Sequence, residues 1–83
     1  MSMCTMQTVQ AFLREKMKTY RRENALTQEA FAEKLDISVR YCSSLENGKN
    51  GISLNILYSF LRLLPEEERM DVLYVIADMK GDY

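Results

Sequence analysis

The sequence predicts an all-α domain built from five short helices. Hydrophobic residues make up 47% of its 83 residues, with only three glycines and one proline, a composition typical of helical globular proteins. Apolar residues recur every three or four positions along most of the chain, which is the period of an amphipathic helix. Thr27, Ser38 and Ser53, which are good N-caps, stand directly before three apolar segments. The length corresponds to a single domain over residues 1–83, and so short a chain gains from packing against a neighbouring subunit.

The first helix is predicted over residues 8–23. Its apolar positions have helical spacing and alternate with basic residues, so that one side packs and the other meets solvent. The apolar positions are Val9, Phe12, Leu13, Met17 and Tyr20. Residues 1–7 are expected to be flexible.

The second helix is predicted from Gln28 to Leu35, a little over two turns, with Thr27 as its N-cap. Asp36 follows at the position where helices usually end through a left-handed residue, a conformation that aspartate tolerates better than most side chains. A tight turn is therefore expected between the second and third helices.

The third helix is predicted to begin after the cap Ser38 and to end near Asn47, because Gly48 is a typical C-terminal stop. Successive residues of a helix are about 100° apart around its axis, which allows the two sides of the third helix to be assigned. One side, about 140° wide, carries Val39, Arg40, Ser43, Ser44 and Asn47. The opposite side carries Tyr41, Cys42 and Leu45. Short side chains let a helix approach a surface closely, and arginine matches the guanine edge in the major groove. DNA binding and an ordinary solvated face explain this helix equally well when it is considered alone.

The fourth helix is predicted from the cap Ser53 to Leu63 or Leu64. It is apolar almost all the way round, so it is expected to be covered on more than one side as the central helix of the domain.

The fifth helix is predicted over residues 65–80. Pro65 would be its first residue, and three glutamates, residues 66–68, would occupy the first turn, where the helix dipole favours anions. Its apolar stripe is broader than one small core requires, which favours subunit pairing. The candidate dimerisation residues are Val72, Val75, Ile76 and Met79. The alternative is that this helix only closes the core of its own domain.

Enzyme activity is not expected from this sequence. Histidine is absent, and there is no Cys-x-x-Cys, no phosphate-loop glycine pattern and no Gly-x-Ser-x-Gly, so no catalytic residue, metal or cofactor is expected. The chain has no long apolar run and no signal peptide, which predicts a cytoplasmic protein without membrane association. A disulfide between Cys4 and Cys42 is not expected in that compartment.

A short capped helix, a tight turn and a second short helix have the layout of a helix-turn-helix. Arg21 precedes Leu-Thr-Gln-Glu at residues 26–29, and Leu-Glu-Asn-Gly-Lys follows at residues 45–49 before Ser53-Leu54. Ala32, Leu35 and Ile37-Ser38 complete the pattern. From about Val9 to Leu64 the sequence thus resembles, without insertions, the XRE-type helix-turn-helix domains of phage repressor and Cro proteins. The resemblance implies a lambda-repressor-like bundle of five helices. Ala25 and Asp36 replace usual glycines, and Ile52 replaces a usual proline.

The resemblance also implies roles for individual side chains. Three would face base edges, namely Val39, Arg40 and Ser44. Five would lie near the sugar-phosphate backbone, namely Gln28, Tyr41, Ser43, Asn47 and Lys49. Gln28 would either hold a phosphate or support the third helix, which would be the recognition helix that contacts the bases. Arg21 would form a structural ion pair with Glu46, and Cys42 and Leu45 would belong to the core.

The sequence therefore predicts a regulator of transcription that binds double-stranded DNA, a repressor acting as a homodimer on a palindromic operator. The net charge is −1, but residues 1–50 contain eight Lys and Arg against six Asp and Glu, whereas residues 51–83 contain three against six. The acidic fifth helix is expected to face away from the duplex. The alternative is a protein-interaction module or an antitoxin-like protein on the same fold, with weak or no DNA binding and a protein partner.

Overall fold

The computed structural model describes the backbone of residues 5–79 and the side chains of residues 7–79. This part of the chain forms five α-helices and contains no β-strand. The helices are α1 (Thr5–Glu23), α2 (Gln28–Leu35), α3 (Val39–Glu46), α4 (Leu54–Leu63) and α5 (Glu66–Asp78). The all-α class and the predicted number of helices are confirmed.

Three helix boundaries differ from the sequence prediction. Helix α1 begins at Thr5, three residues before the predicted start at Thr8, and residues 1–4 lie outside the described part. Met and Gln are good helix formers, and the helix continues through them instead of starting at Thr8. Pro65 occupies the N-cap position of α5 rather than its first turn, and α5 ends at Asp78, with Lys80 outside the described residues.

The core lies where the five helices and the α3–α4 loop meet, and its centre is aromatic. The rings of Tyr20, Phe31 and Phe60 have centroid separations of 5.8, 5.8 and 6.3 Å. Tilted and edge-to-face pairs of this kind stabilise a core beyond the area that they bury. The buried apolar residues around them are Leu13, Met17, Ala32, Leu35, Cys42, Leu45, Ile52, Ile56, Leu64 and Val72.

Three helices end through a residue with positive φ. Ala25 (φ 53°), Asp36 (φ 61°) and Gly48 (φ 83°) follow α1, α2 and α3 respectively. In each case the next residue donates its N–H to a carbonyl five positions earlier, as in a Schellman motif. These bonds run from Leu26 to Arg21, from Ile37 to Ala32 and from Lys49 to Ser44, with N···O distances of 2.9, 3.0 and 3.0 Å. The left-handed exit expected at Asp36 is confirmed.

Helix α4 is covered around more than half of its circumference but not on all sides. Ile56 and Phe60 are buried, and Leu57, Leu61 and Leu63 are partly buried against the core. A strip of the helix remains uncovered in the single chain, where Leu54 is 80% exposed and Tyr58 is 60% exposed.

The side of helix α5 that faces the core differs from the prediction. Val72 is completely buried, so the expectation that it is exposed for subunit pairing is wrong. Val75, Ile76 and Met79 are half-buried. The large exposed apolar residues of α5 are Met70, Leu73 and Tyr74, at 60%, 42% and 70% exposure.

Candidate nucleic-acid interface

Helices α2 and α3 form a helix-turn-helix whose two N-termini are capped as the sequence predicts. Thr27 Oγ1 accepts a hydrogen bond from the Ala30 N–H at 3.0 Å, and Ser38 Oγ accepts one from the Tyr41 N–H at 3.0 Å. Each cap satisfies an N–H that has no partner within the helix, a contribution of about 1 kcal/mol. The start of α3 is therefore defined by its own sequence.

The packed side of α3 is anchored in the core. Cys42 and Leu45 have no exposed surface, and Tyr41 is half-buried at the edge of that side. Burial raises the pKa of the Cys42 thiol, which keeps it protonated as a small apolar side chain. Cys42 is unpaired, and Cys4, its possible disulfide partner, lies outside the described residues.

The opposite side of α3 is accessible. Val39 is 44% exposed, Arg40 is exposed, and Ser43 and Ser44 are half-buried. At the end of the helix Asn47 and the following Lys49 are also exposed. The helix thus presents one arginine among short side chains. The predicted base-facing residues share this side of α3 with Ser43 and Asn47, whereas Tyr41, also predicted to face the DNA backbone, lies at the edge of the packed side.

A buried ion pair connects this helix to α1. Arg21 Nε donates to Glu46 Oε2 at 2.7 Å and Arg21 Nη2 donates to Glu46 Oε1 at 3.0 Å, while Nη1 donates to the Leu26 carbonyl at 3.2 Å. Glu46 is 6% exposed. The hydrogen-bonded carboxylate of Glu46 raises the pKa of Arg21, so the guanidinium stays charged. The ion pair expected from the resemblance is confirmed by this geometry.

Gln28 completes the network from α2. Its Nε2 donates to Glu46 Oε1 at 3.1 Å, so a carboxylate of α3 holds side chains from both α1 and α2. The structure thus shows Gln28 supporting the recognition helix, which is one of the two roles that the sequence left open. An amide nitrogen has two hydrogens, so the second remains for a phosphate.

Sequence reasoning missed two side chains of α1 that hold the far end of α3 and the loop after it. Gln10 Nε2 donates to the Ile52 carbonyl at 2.9 Å, and the Ile52 N–H donates to Gln10 Oε1 at 2.6 Å. Arg14 Nε donates to the Leu45 carbonyl at 3.1 Å. The spacing of Gln10, Arg14 and Arg21 places them within about 40° on one side of α1, which is the signal that could have found them.

Other kinds of site are not evident in the described residues. Residues 7–79 contain no group of three potential metal ligands among His, Cys, Asp and Glu. None of the helices in this part of the chain has the length and apolar character needed to cross a membrane.

The capped α2, the tight turn through Asp36 and the exposed face of α3 together form a helix-turn-helix, the motif with which many DNA-binding proteins place a helix in the major groove. A family model described as helix-turn-helix matches residues 17–69, from the middle of α1 to the start of α5. The chain belongs to this XRE-type helix-turn-helix family.

A curated relative supports this class. The chain is 48% identical over 40 residues to the control protein C.MunI of a Mycoplasma species, over 47% of this chain and 54% of the relative. The chain thus spans about half the length of this relative. No solved structure gives a significant match.

Proposed function

We propose that the protein is a repressor that binds a palindromic operator as a homodimer through α3. The observation that supports this most directly is the accessible face of α3, where Arg40 is exposed among short side chains while the opposite face is buried. A helix of this kind fits the major groove, and the arginine fork can donate two hydrogen bonds to guanine.

The proposed contacts divide into two groups. Val39, Arg40 and Ser44 read base edges. The residues proposed to contact the DNA backbone are Gln28, Tyr41, Ser43, Asn47 and Lys49. Backbone contacts set the position of the protein on the duplex, and base contacts supply the sequence preference.

The charge distribution favours an approach of DNA to the α3 side. The three glutamates in the first turn of α5 are exposed, and residues 51–83 carry an acidic excess. The DNA phosphates are repelled by this acidic part of the molecule, whereas the basic excess of residues 1–50 attracts them.

The proposed dimer uses the exposed apolar side of α5. Met70, Leu73 and Tyr74 lie at helical positions i, i+3 and i+4, so they form one stripe, and this stripe replaces the buried Val72 as the centre of the interface. Leu54 and Tyr58 on α4 extend the exposed apolar surface. A two-fold dimer would place two α3 helices about one DNA turn apart, roughly 34–36 Å, and would require a palindromic site.

The experiment that tests this proposal is selection of duplexes from a randomised DNA pool by the purified protein, with affinity measured by fluorescence anisotropy over a salt series. Enrichment of a palindrome, with an affinity that falls steeply with salt, is the expected result. The selected operator placed across a reporter promoter should lower reporter expression when the protein is present. Absence of binding at low salt would refute the DNA-binding proposal, and increased reporter expression would refute repression.

A second candidate is a protein-interaction module or antitoxin-like protein on this fold. The five exposed apolar residues of α4 and α5 and the net charge of −1 favour it. This candidate predicts no enrichment in the same selection and a monomer in solution whose exposed apolar side is covered only by a different protein.

A further inference from the structure

Arg14 lies against the turn that ends the recognition helix. Besides the bond from its Nε to the Leu45 carbonyl, its guanidinium carbon is 3.5 Å from the point where a Cβ on Gly48 would lie, and Nη2 is 3.8 Å from that point. Gly48 stands between Asn47 and Lys49, two residues proposed to contact the DNA backbone. A side chain of α1, outside the helix-turn-helix, thus reaches the same corner of the molecule.

The charge of Arg14 has no anionic partner in the described part of the chain. Among residues 7–79 the ion pairs join Lys18 to Glu15 and Arg21 to Glu46, and Arg14 takes part in neither. The Leu45 carbonyl engages only Nε, whereas a guanidinium has five N–H donors. Four donors therefore remain on a half-buried side chain whose position is already defined.

The neighbouring side chains of Asn47 and Lys49 also have hydrogen-bond donors free for a phosphate. Asn47 Oδ1 accepts a hydrogen bond from the Lys49 N–H at 3.1 Å, which leaves the amide nitrogen of Asn47 as a donor. Lys49 is exposed and adds a second positive charge beside Gly48. Arginine donors in this setting match the oxygens of a phosphate, and a guanidinium held in advance loses little conformational freedom on binding.

We propose that Arg14 binds a phosphate of the DNA backbone together with Asn47 and Lys49. This inference rests on the proposed DNA binding, and it adds a contact from α1 that neither the sequence reasoning nor the helix-turn-helix motif assigns. The Nε bond to Leu45 positions the group, and the Nη atoms hold the phosphate.

The test is the salt dependence of binding to a random-sequence DNA duplex and to the selected operator. Each neutralised phosphate contributes a slope of about −0.9 to a plot of log K against log salt concentration. Arg14→Gln should reduce the magnitude of that slope by about one on both duplexes. Arg62→Gln, which removes the same charge from the exposed C-terminal part of α4, should leave the slope unchanged.

A second measurement does not depend on the folding of a variant. In the unaltered protein, the NMR signals of the Arg14 guanidinium should shift when duplex is added. Those of Arg69, which similarly donates to the Leu61 and Leu64 carbonyls at the end of α4, should not shift.

Two outcomes would overturn the proposal. An Arg14→Gln protein that retains the original salt slope but unfolds at lower denaturant concentration would show that Arg14 only holds the end of α3. Unchanged Arg14 signals in a protein that clearly binds the duplex would contradict the contact directly. If the unaltered protein bound neither duplex, the proposed function would fail together with this inference.

Discussion

Arg40 and Glu46 lie on the same short helix and place their charges in opposite environments. Arg40 is exposed, whereas Glu46 is 6% exposed and accepts hydrogen bonds from Arg21 and Gln28. Removing one partner of such a buried pair leaves an uncompensated charge and costs about 3–5 kcal/mol. Glu46 therefore contributes to the position of α3, and Arg40 is available to a ligand.

This difference leads to a prediction for Arg40. Arg40→Ala should weaken binding to the selected operator by about 1–3 kcal/mol and relax the base preference at one position of each half-site. The free energy of unfolding should change by less than about 0.5 kcal/mol, because the side chain is exposed. Competition binding with single-base operator variants and denaturant unfolding measure the two effects.

The control for Arg40 is Arg62→Ala, which removes an exposed cation from α4. Arg62 lies over the Tyr58 ring at 5.8 Å and should not affect base preference. An Arg40→Ala protein with the original affinity and sequence preference would contradict the assignment of Arg40 to base edges and favour the interaction-module alternative.

At the scale of elements, the ends of α1, α2 and α3 share one geometry but use three different residues. The left-handed conformation suits glycine, is tolerated by aspartate and is unfavourable for alanine. Gly48 meets this requirement, while Ala25 and Asp36 carry a Cβ at positive φ. The family positions that usually hold glycine are therefore left-handed here as well, at some cost in stability.

We predict that Ala25→Gly increases the free energy of unfolding. The gain should be about 0.5–1 kcal/mol, since relief of the left-handed strain exceeds the entropy that glycine adds to the unfolded chain. Asp36→Gly should give a smaller gain. For a chain of this size, 1 kcal/mol corresponds to a shift in Tm of about 4–8 °C, which calorimetry resolves.

The matched control is the reverse change at the end of α3. A Cβ at Gly48 would meet only the Arg14 side chain, at 3.5 Å or more, so Gly48→Ala tests backbone strain without a steric clash. It should lower stability by about 1 kcal/mol. Equal signs for Ala25→Gly and Gly48→Ala would show that positive φ does not decide the stability of these turns.

At the scale of the whole molecule, basic and apolar surfaces lie at different places. The accessible face of α3 and the turn beside Arg14 carry the proposed DNA contacts, and the outer side of α5 carries Met70, Leu73 and Tyr74. Separate surfaces allow one chain to contact DNA and a second copy at the same time. This arrangement suits a two-fold dimer on a palindrome.

We predict that Tyr74→Glu converts the dimer to a monomer. A charge at a residue that is 70% exposed in the single chain has little effect on folding, but in the proposed interface it would be desolvated without a partner. Sedimentation equilibrium should show the monomer mass, and operator affinity should fall because the two half-sites are no longer bound together.

Thr19→Glu is the control for the dimer, because Thr19 is also exposed but belongs to α1, outside the stripe. It should leave the dimer intact. A Tyr74→Glu protein that sediments like the original would exclude the outer side of α5 as the dimer interface.

Much of the fold follows from local chemistry in the sequence. Thr27, Ser38 and Ser53 cap α2, α3 and α4 because their side-chain oxygens reach the N–H groups of the next turn. Asp36 and Gly48 define the ends of α2 and α3. The prediction of the two faces of α3 is confirmed for Cys42 and Leu45, which are buried, and for Val39, which is apolar but 44% exposed on the opposite side.

Only the tertiary structure decided which side of a helix with a broad apolar stripe faces the core. In α5 the sequence predicts Val72 as an exposed dimer contact, yet Val72 is buried, while Tyr74, which is not among the predicted contacts, is exposed. The hydrogen bond from Arg14 to the Leu45 carbonyl likewise joins residues that are far apart in the chain. Periodicity specifies which residues share a helix face, but the face that meets the core depends on how the helices pack. That packing minimises exposed apolar area for the whole chain, which no local pattern contains.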